Sequence, residues 1–195
     1  MKKNIKLRVK NLIQKYGTTD PYKLCQKLGI EVIIMDLGVI KGCFKSRMGE
    51  KVILINSVFS AFAQKIILAH ELGHYLGLHH VFAETDNGTC EDTDYCKDTP
   101  SYNRSEYEQW LNNLDKQNKY QLKDLAKRYS CEKGEYEAHN IMDYAYCFYN
   151  EITLEQRKRI RHILNYSPLI PGPKESRIDT RGVQGRLNLP ICIMK

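Results

Sequence analysis

No stretch of this 195-residue chain is long and apolar enough to span a bilayer. Its first residues, Met1 to Lys10, are charged and hold no apolar core of the kind a secretory signal needs. The sequence therefore predicts a chain with no membrane span that stays in the cytoplasm. No internal repeat or low-complexity block is visible. One globular domain is expected, long enough for a substantial core and divided into two lobes around a cleft. Cysteine is limited to seven residues, an odd number that cannot all pair within the chain. Their spacings fit no standard zinc finger. Cys90, Cys96, Cys131 and Cys147 gather in the second half, as the disulfides of a secreted protein do, while Cys25, Cys43 and Cys192 lie outside that group. Without a signal peptide, buried thiols are the expectation for all seven. Neither sign of charge dominates: 30 Lys and Arg stand against 23 Asp and Glu, for a net +7. The densest basic run, Arg157-Lys158-Arg159 with Arg161 and His162, falls in a predicted helix. A solvated helix face is expected there rather than a nucleic-acid patch.

Local patterns predict the elements. Asn4–Tyr16 reads as an amphipathic helix ended by Gly17, and Pro21–Leu28 as a second ended by Gly29. Glu31–Met35 and Lys51–Asn56 are rich in β-branched residues and read as strands. Ser60 can cap a helix over Ala61–Leu76. Ala83–Tyr102 is polar, with Gly88 and Pro100, and reads as an irregular loop. Ser105–Arg128 is helix-like, with Tyr107, Trp110 and Leu111 as core anchors. Thr153-Leu154-Glu155-Gln156 is a capping box that opens a helix to about Leu164, ended by Pro168, Pro171 and Pro173.

What the chain does have is His70-Glu71-Leu72-Gly73-His74, continued through Gly77 to His79-His80. On a helix, residues four apart share a face, so His70 and His74 can point two imidazoles at one ion. Glu71 lies one step round the helix, close enough to hold a water on that ion. Gly77 can take the left-handed conformation that ends a helix, after which His80 can swing back as a third ligand. Spacing favours His80 over His79. Three nitrogens with a fourth position open to water make a catalytic zinc site rather than a structural one. Ile66, Ile67, Leu68, Leu72, Tyr75 and Leu76 supply an apolar surface to the same helix, so it is also a core element.

This extended pattern resembles the metzincin signature, which includes a later Met-turn. The chain offers Asn140-Ile141-Met142-Asp143-Tyr144. The resemblance implies Met142 as a hydrophobic floor beneath zinc and Tyr144 as a group that reaches the metal or the reaction intermediate. Over about residues 70–173 the chain is similar to the pappalysin branch of that clan. The carriers are the full zinc motif, Asp94-Tyr95-Cys96-Lys97-Asp98-Thr99-Pro100, the Met142 segment, Cys147, and the helix from Gln156 to Arg161. Those relatives are secreted endopeptidases, several of which bind calcium near the Asp-Thr-Pro loop. Asp92, Asp94 and Asp98 could provide hard oxygen ligands here. Asp143 is a candidate charge near the substrate.

Over about residues 5–78 the chain resembles the ImmA/IrrE family of regulatory metallopeptidases. The carriers are Lys15-Tyr16-Gly17-Thr18, Asp20-Pro21, Leu28-Gly29-Ile30-Glu31-Val32, Asp36-Leu37-Gly38, Ile40-Lys41-Gly42, Ile55-Asn56-Ser57 and Ala69-His70-Glu71-Leu72-Gly73-His74. That family is cytoplasmic and relieves DNA-bound repressors. It uses a later acidic ligand, which makes Glu137 within Glu135-Tyr136-Glu137-Ala138-His139-Asn140 an alternative to His80.

Together these readings predict an α+β, zincin-like fold: a small twisted sheet with backing helices, an active-site zinc helix, and a mostly helical C-terminal lobe with a Met-turn. The lobes are expected over 1–80 and 81–173, with an irregular tail over 174–195. The predicted function is a zinc-dependent endopeptidase that acts on a protein or peptide through a zinc-activated water, with Glu71 as general base and Tyr144 steadying the oxyanion. A cytoplasmic protease dedicated to a DNA-binding repressor is the alternative. The resemblance of the second half also raises an extracellular location. Zinc is the expected cofactor, with calcium as an addition. Cleavage preference and oligomeric state are not encoded in any local pattern.

Overall fold

In the computed structural model, which describes residues 16–47, 49–82, 91, 93–115, 118–130 and 132–171, the first full element is helix α1, Pro21–Leu28. Asp20 caps it, its carboxylate accepting from the Tyr22 N–H at 3.2 Å. Pro21 fills the first helical position, where a missing N–H costs nothing. Gly29 ends the helix with φ of 66°; its N–H and that of Ile30 return to the carbonyls of Gln26 and Cys25 at 3.2 and 2.9 Å. The expected helix over 4–16 falls outside the described residues except for Tyr16.

Three strands form a mixed sheet in the order β1-β3-β2: β1 is Glu31–Met35, β2 is Gly42–Arg47 and β3 is Glu50–Asn56. β1 runs parallel to β3, with Glu31 opposite Val52, and β2 runs antiparallel to it, with Gly42 opposite Ile55 and Arg47 opposite Glu50. Sequence patterning finds β1 and β3 but not β2, because Gly-Cys-Phe-Lys-Ser-Arg has no apolar alternation. β3 supplies the fully buried Ile53 and Ile55. Buried Asn56 ties the β1–β2 connection to the sheet: its amide donates to the carbonyls of Gly38 and Ile40 at 2.9 and 2.8 Å, and its oxygen accepts from the Val58 N–H at 3.1 Å.

Helix α2, Ala61–Tyr75, packs against β2, β3 and α1. Ser60 caps it as expected, accepting from the Ala63 N–H at 3.3 Å. Its last two turns bury Leu68, His70, Glu71, Leu72, Gly73, His74 and Tyr75, so they are enclosed on every side. β2 approaches this part of α2 so closely that a Cβ on Gly42 would lie 2.6 Å from Ile67 Cγ2 and 3.4 Å from Glu71 Cγ. The Phe44 and Tyr75 rings meet at 5.2 Å.

The chain divides into two compact units, which among the described residues are 16–75 with 168–171, and 76–167. The second unit has less regular structure. Helix α3 is Arg104–Asn112, α4 is the single turn Leu122–Leu125, and β4, Lys127–Ser130, pairs antiparallel with β5, Gly134–Glu137. Helix α5 is Leu154–Tyr166, opened by the expected Thr153–Gln156 capping box. The predicted helix over Ser105–Arg128 is therefore corrected to a helix that stops at Asn112, one further turn, and the start of a strand. Asn113 caps α3 at its C-terminus, and short-range turns replace the helix after it. Tyr107 is a core anchor as expected, but Trp110 is 40% exposed. A mostly helical lobe is likewise corrected: irregular segments and a β-hairpin carry much of this unit. The mixed α+β character holds, and no helix among the described residues is long and apolar enough to cross a membrane.

Cys25, Cys43, Cys96 and Cys147 are buried thiols, as expected. Burial pushes Cys25 up to about 11 and Cys96 and Cys147 up to about 12. Cys90, Cys131 and Cys192 lie outside the described residues.

Gly77 sits at φ of 85°, and a Cβ there would lie 2.9 Å from Ile163 Cγ1 on α5, whereas a Cβ on Gly29 would meet open space. Gly29→Ala should cost about 1–2 kcal/mol for its left-handed backbone. Gly77→Ala should cost about 1–3 kcal/mol more from overpacking. Urea denaturation of the two variants measures the difference, and equal costs would contradict the close packing of α5 on this turn.

Candidate metal centre

The end of α2 conflicts with ordinary core composition. A helical segment enclosed on all sides should be apolar, yet here it buries two histidines and a glutamate. His70, Glu71 and His74 are 4%, 0% and 5% exposed. The Nε2 atoms of His70 and His74 stand 3.1 Å apart with their rings edge to face. Two nitrogens each about 2.0–2.1 Å from one zinc ion can have that spacing. Where the chain continues to His80, its ring brings a third nitrogen: one ligand atom from each of the three histidines lies within 4.8 Å of the others. This is the single such group of histidine, cysteine and carboxylate side chains among the described residues.

Glu71 supplies the test of fit. Both carboxylate oxygens are buried without a hydrogen-bond partner. Desolvation pushes its pKa up to about 8, although the nearby Phe44 backbone N–H, outside hydrogen-bonding geometry, acts weakly in the opposite direction. A carboxylate stranded in a core is costly unless something polar completes it. Three imidazole nitrogens beside an unsatisfied carboxylate suit zinc with one open position.

Around His80 the contacts are aromatic. Its ring stacks on Phe82 at 4.7 Å and 11°, and meets Tyr144 edge to face at 5.4 Å. The Arg104 guanidinium lies 4.3 Å over the Tyr144 ring. The neighbouring Val81 N–H donates to the Met142 carbonyl at 3.4 Å, and Met142 is fully buried. His79 turns elsewhere, accepting from Arg159 Nη2 at 3.0 Å with its ring 5.6 Å from Tyr95.

Two buried polar clusters fix the segment around Met142. Asn140 accepts from the Met142 N–H at 2.9 Å and exchanges amide hydrogen bonds with Gln156 at 2.8 and 3.2 Å. Gln156 also accepts from the Thr153 N–H at 3.0 Å, so the capping box of α5 and the Met142 turn share one side chain. In the other cluster, Asp143 Oδ1 accepts from the Tyr102 hydroxyl and the Tyr144 N–H, both at 2.7 Å, and faces Arg128 Nη2 at 3.5 Å. Arg128 and Asp143 side chains are 0% and 1% exposed. Arg128 lies 3.6 Å over the Tyr107 ring and donates to the carbonyls of Leu125, Lys127, Ala145 and Tyr146. Burial, reinforced by Asp143, holds the Tyr102 hydroxyl well above its ordinary pKa.

The structure thus gathers His70, His74 and His80, and sets Tyr144 and the Met142 segment next to His80 and Val81. Other expectations change. Asp143 is a buried structural anion rather than a charge offered to substrate. Asp92 lies outside the described residues, and nothing at Asp94 or Asp98 supports calcium. The Asp94 carboxylate is occupied by the Cys96 N–H at 2.7 Å and the Thr99 hydroxyl at 2.6 Å, and Asp98 accepts from the Glu155 N–H at 2.9 Å, at the start of α5. Glu137 is outside the histidine group and faces Lys123 and His139 at 3.9 and 3.7 Å. Sequence reasoning missed Gly42, Arg128 and Arg159. The signal for Arg128 is faint, because a strand whose buried positions are Arg128 and Ser130 shows no apolar alternation.

The profile of the Peptidase_M43 family, described as pregnancy-associated plasma protein-A, matches residues 51–165. An extracellular metalloprotease of Arthroderma benhamiae is 38% identical over 94 residues, which is 47% of this chain and 28% of that protein. Two bacterial-side relatives also match. The uncharacterized immunity region protein 2 of Bacillus phage phi105 is 39% identical over 71 residues, 36% of this chain and 45% of that one. Metallopeptidase ImmA of Bacillus subtilis is 33% identical over 73 residues, 37% of this chain and 43% of that one. The chain spans less than half the length of each of these relatives. No solved structure matches.

The Arg128–Asp143 pair makes the second unit fragile at one point. Arg128→Ala leaves a buried, uncompensated carboxylate and should cost about 3–5 kcal/mol in urea denaturation. A loss below about 1 kcal/mol would mean that the pair is not desolvated as the structure has it.

Proposed function

Because the chain belongs to the Peptidase_M43 family, a family of metallopeptidases, we propose that it is a zinc endopeptidase whose ion is held by His70, His74 and His80. The observation that carries this reading is the convergence of three imidazoles beside a fully buried glutamate whose oxygens have no partner. Bound there, zinc would supply Lewis acidity, polarising a peptide carbonyl and acidifying a water molecule.

The chain's own residues would do the rest. Glu71 would take the attacking water's proton on a carboxylate oxygen and pass it to the leaving amine nitrogen. Its burial keeps bulk water from competing for that proton. Tyr144, with its ring against His80 and beneath Arg104, is the candidate hydroxyl for the developing oxyanion. Met142 would serve as an apolar floor. Substrate would add to the edge of β2. In an antiparallel pair, alternate residues direct their backbone groups outward. The Asn56 N–H donates to the Lys41 carbonyl at 2.9 Å, so by the β2–β3 register Lys41, Cys43 and Lys45 face β3, and Gly42, Phe44 and Ser46 are the outward set. An extended peptide paired there would run past the glutamate.

A second reading is favoured by the similarity to metallopeptidase ImmA and to the phage immunity-region protein. On that reading the same residues act in a protease dedicated to one protein partner, a DNA-bound repressor, and generic peptides are poor substrates.

Zinc-loaded protein should cleave members of an unbiased peptide library. Glu71→Gln, which keeps the shape and removes the base, should lower the rate by at least about 10²-fold. Cleavage that survives in the variant would sink the mechanism. A wild-type protein that holds zinc and leaves the library intact, yet cuts a helix-turn-helix repressor, would decide for the second reading.

A further inference from the structure

We propose that Arg159 is a positioning residue for the metal centre: its guanidinium grips the Gly77–His79 turn and so holds His80 in place. The proposal rests on the reading of His80 as the third zinc ligand. Arg159 donates from Nε to the Gly77 carbonyl and from Nη2 to His79 Nε2 at 3.0 Å. A guanidinium can only donate, so His79 presents Nε2 as an acceptor. The two bonds therefore fix one backbone group and one side chain within the three residues that precede His80. A planar fork presents two nitrogens at a fixed spacing to two such acceptors, a geometry that the single ammonium nitrogen of a lysine does not reproduce.

The same face of α5 makes a second contact with this turn. Ile163, four residues after Arg159 and so on one side of the helix, fills the space where Gly77 would carry a side chain. The far end of the turn is closed by the Val81 N–H on the Met142 carbonyl. His80 thus sits between an α5 anchor and a Met142 anchor, and its ring is clasped by Phe82 and Tyr144. Of these restraints, only Arg159 acts through directional bonds from a half-buried charge reaching out of a basic helix face. Its ring neighbour Tyr95, 5.7 Å from the guanidinium carbon, covers it on one side. The basic run Arg157-Lys158-Arg159 is therefore not uniformly a solvated face, because its third member is turned inward onto the turn.

The test is zinc affinity, read by competition with a chromophoric chelator on the full chain, for wild type, Arg159→Ala, Arg159→Lys, His80→Ala and the Arg159→Ala/His80→Ala double variant. Exposed Lys158→Ala serves as the control. Outer residues that orient a metal ligand are commonly worth about 10–100-fold in affinity, so Arg159→Ala should weaken zinc by at least about tenfold. Arg159→Lys, which keeps the charge but only one donor nitrogen, should fall between it and wild type, and Lys158→Ala should match wild type. In the His80→Ala background, Arg159→Ala should cause almost no further loss, because its effect passes through His80. The visible spectrum of the cobalt-substituted Arg159→Ala protein should move toward that of His80→Ala. Unchanged affinity in Arg159→Ala, or an equal loss with and without His80, overturns the proposal. If Arg159→Ala fails to fold, as judged by thermal denaturation without metal, Arg159→Lys carries the test, and wild-type affinity in it is the overturning result. A wild-type protein that binds no zinc, or whose affinity ignores His80→Ala, instead removes the reading beneath the proposal, and the proposal falls with it.

Discussion

The constraint on which the rest depends is the burial of Glu71. A carboxylate with no exposed surface and no hydrogen bond made by either oxygen is a liability in any core, and here it lies between two equally buried histidines on the enclosed end of one helix. The surroundings are built to keep it there. β3 and α1 pack against the helix, and β2 comes so near that a Cβ at position 42 would clash with Ile67. A core optimised for stability alone would place leucines at these positions. Local rules broken at one place, inside an element that otherwise obeys them, are the physical mark of a functional site.

The second unit solves a different problem. It has few regular elements from which to hang a rigid turn, so it uses buried polar side chains as fasteners. Gln156 serves both the N-cap of α5 and the Asn140 amide, so the helix start and the Met142 segment are fixed together. Arg128 donates to four backbone carbonyls, two at the α4–β4 junction and two in the Ala145–Tyr146 loop, and faces one carboxylate from a position with no solvent contact. The Asp143 carboxylate, held by the Tyr102 hydroxyl and facing Arg128, also accepts from the Tyr144 N–H, which ties Tyr144 to this network beside the His80 ring.

Legibility in the sequence followed the range of the interactions. Helix α1 could be read to the residue because Asp20, Pro21 and Gly29 are local signals, and the α5 capping box could be read for the same reason. The histidine motif was legible because its spacing is a helical period followed by a glycine break. β2 was not, since its partner and its glycine contact lie elsewhere in the chain. The helix expected over 105–128 failed where asparagines offered the backbone a turn instead. The roles of Arg128 and Asp143 were invisible because each depends on the other across an intervening loop. Asp94 and Asp98 could be read as hard-cation ligands in one dimension, but in the fold both Asp94 oxygens are committed to the Cys96 N–H and the Thr99 hydroxyl, and Asp98 Oδ2 accepts from the Glu155 N–H.

The most direct measurement is X-ray absorption at the zinc edge of the purified protein. The account predicts one zinc per chain, bound by three imidazole nitrogens and one oxygen donor, with no sulfur, and loss of that signature in His74→Ala. A sulfur-containing shell, or a protein that folds and holds no zinc, would contradict it.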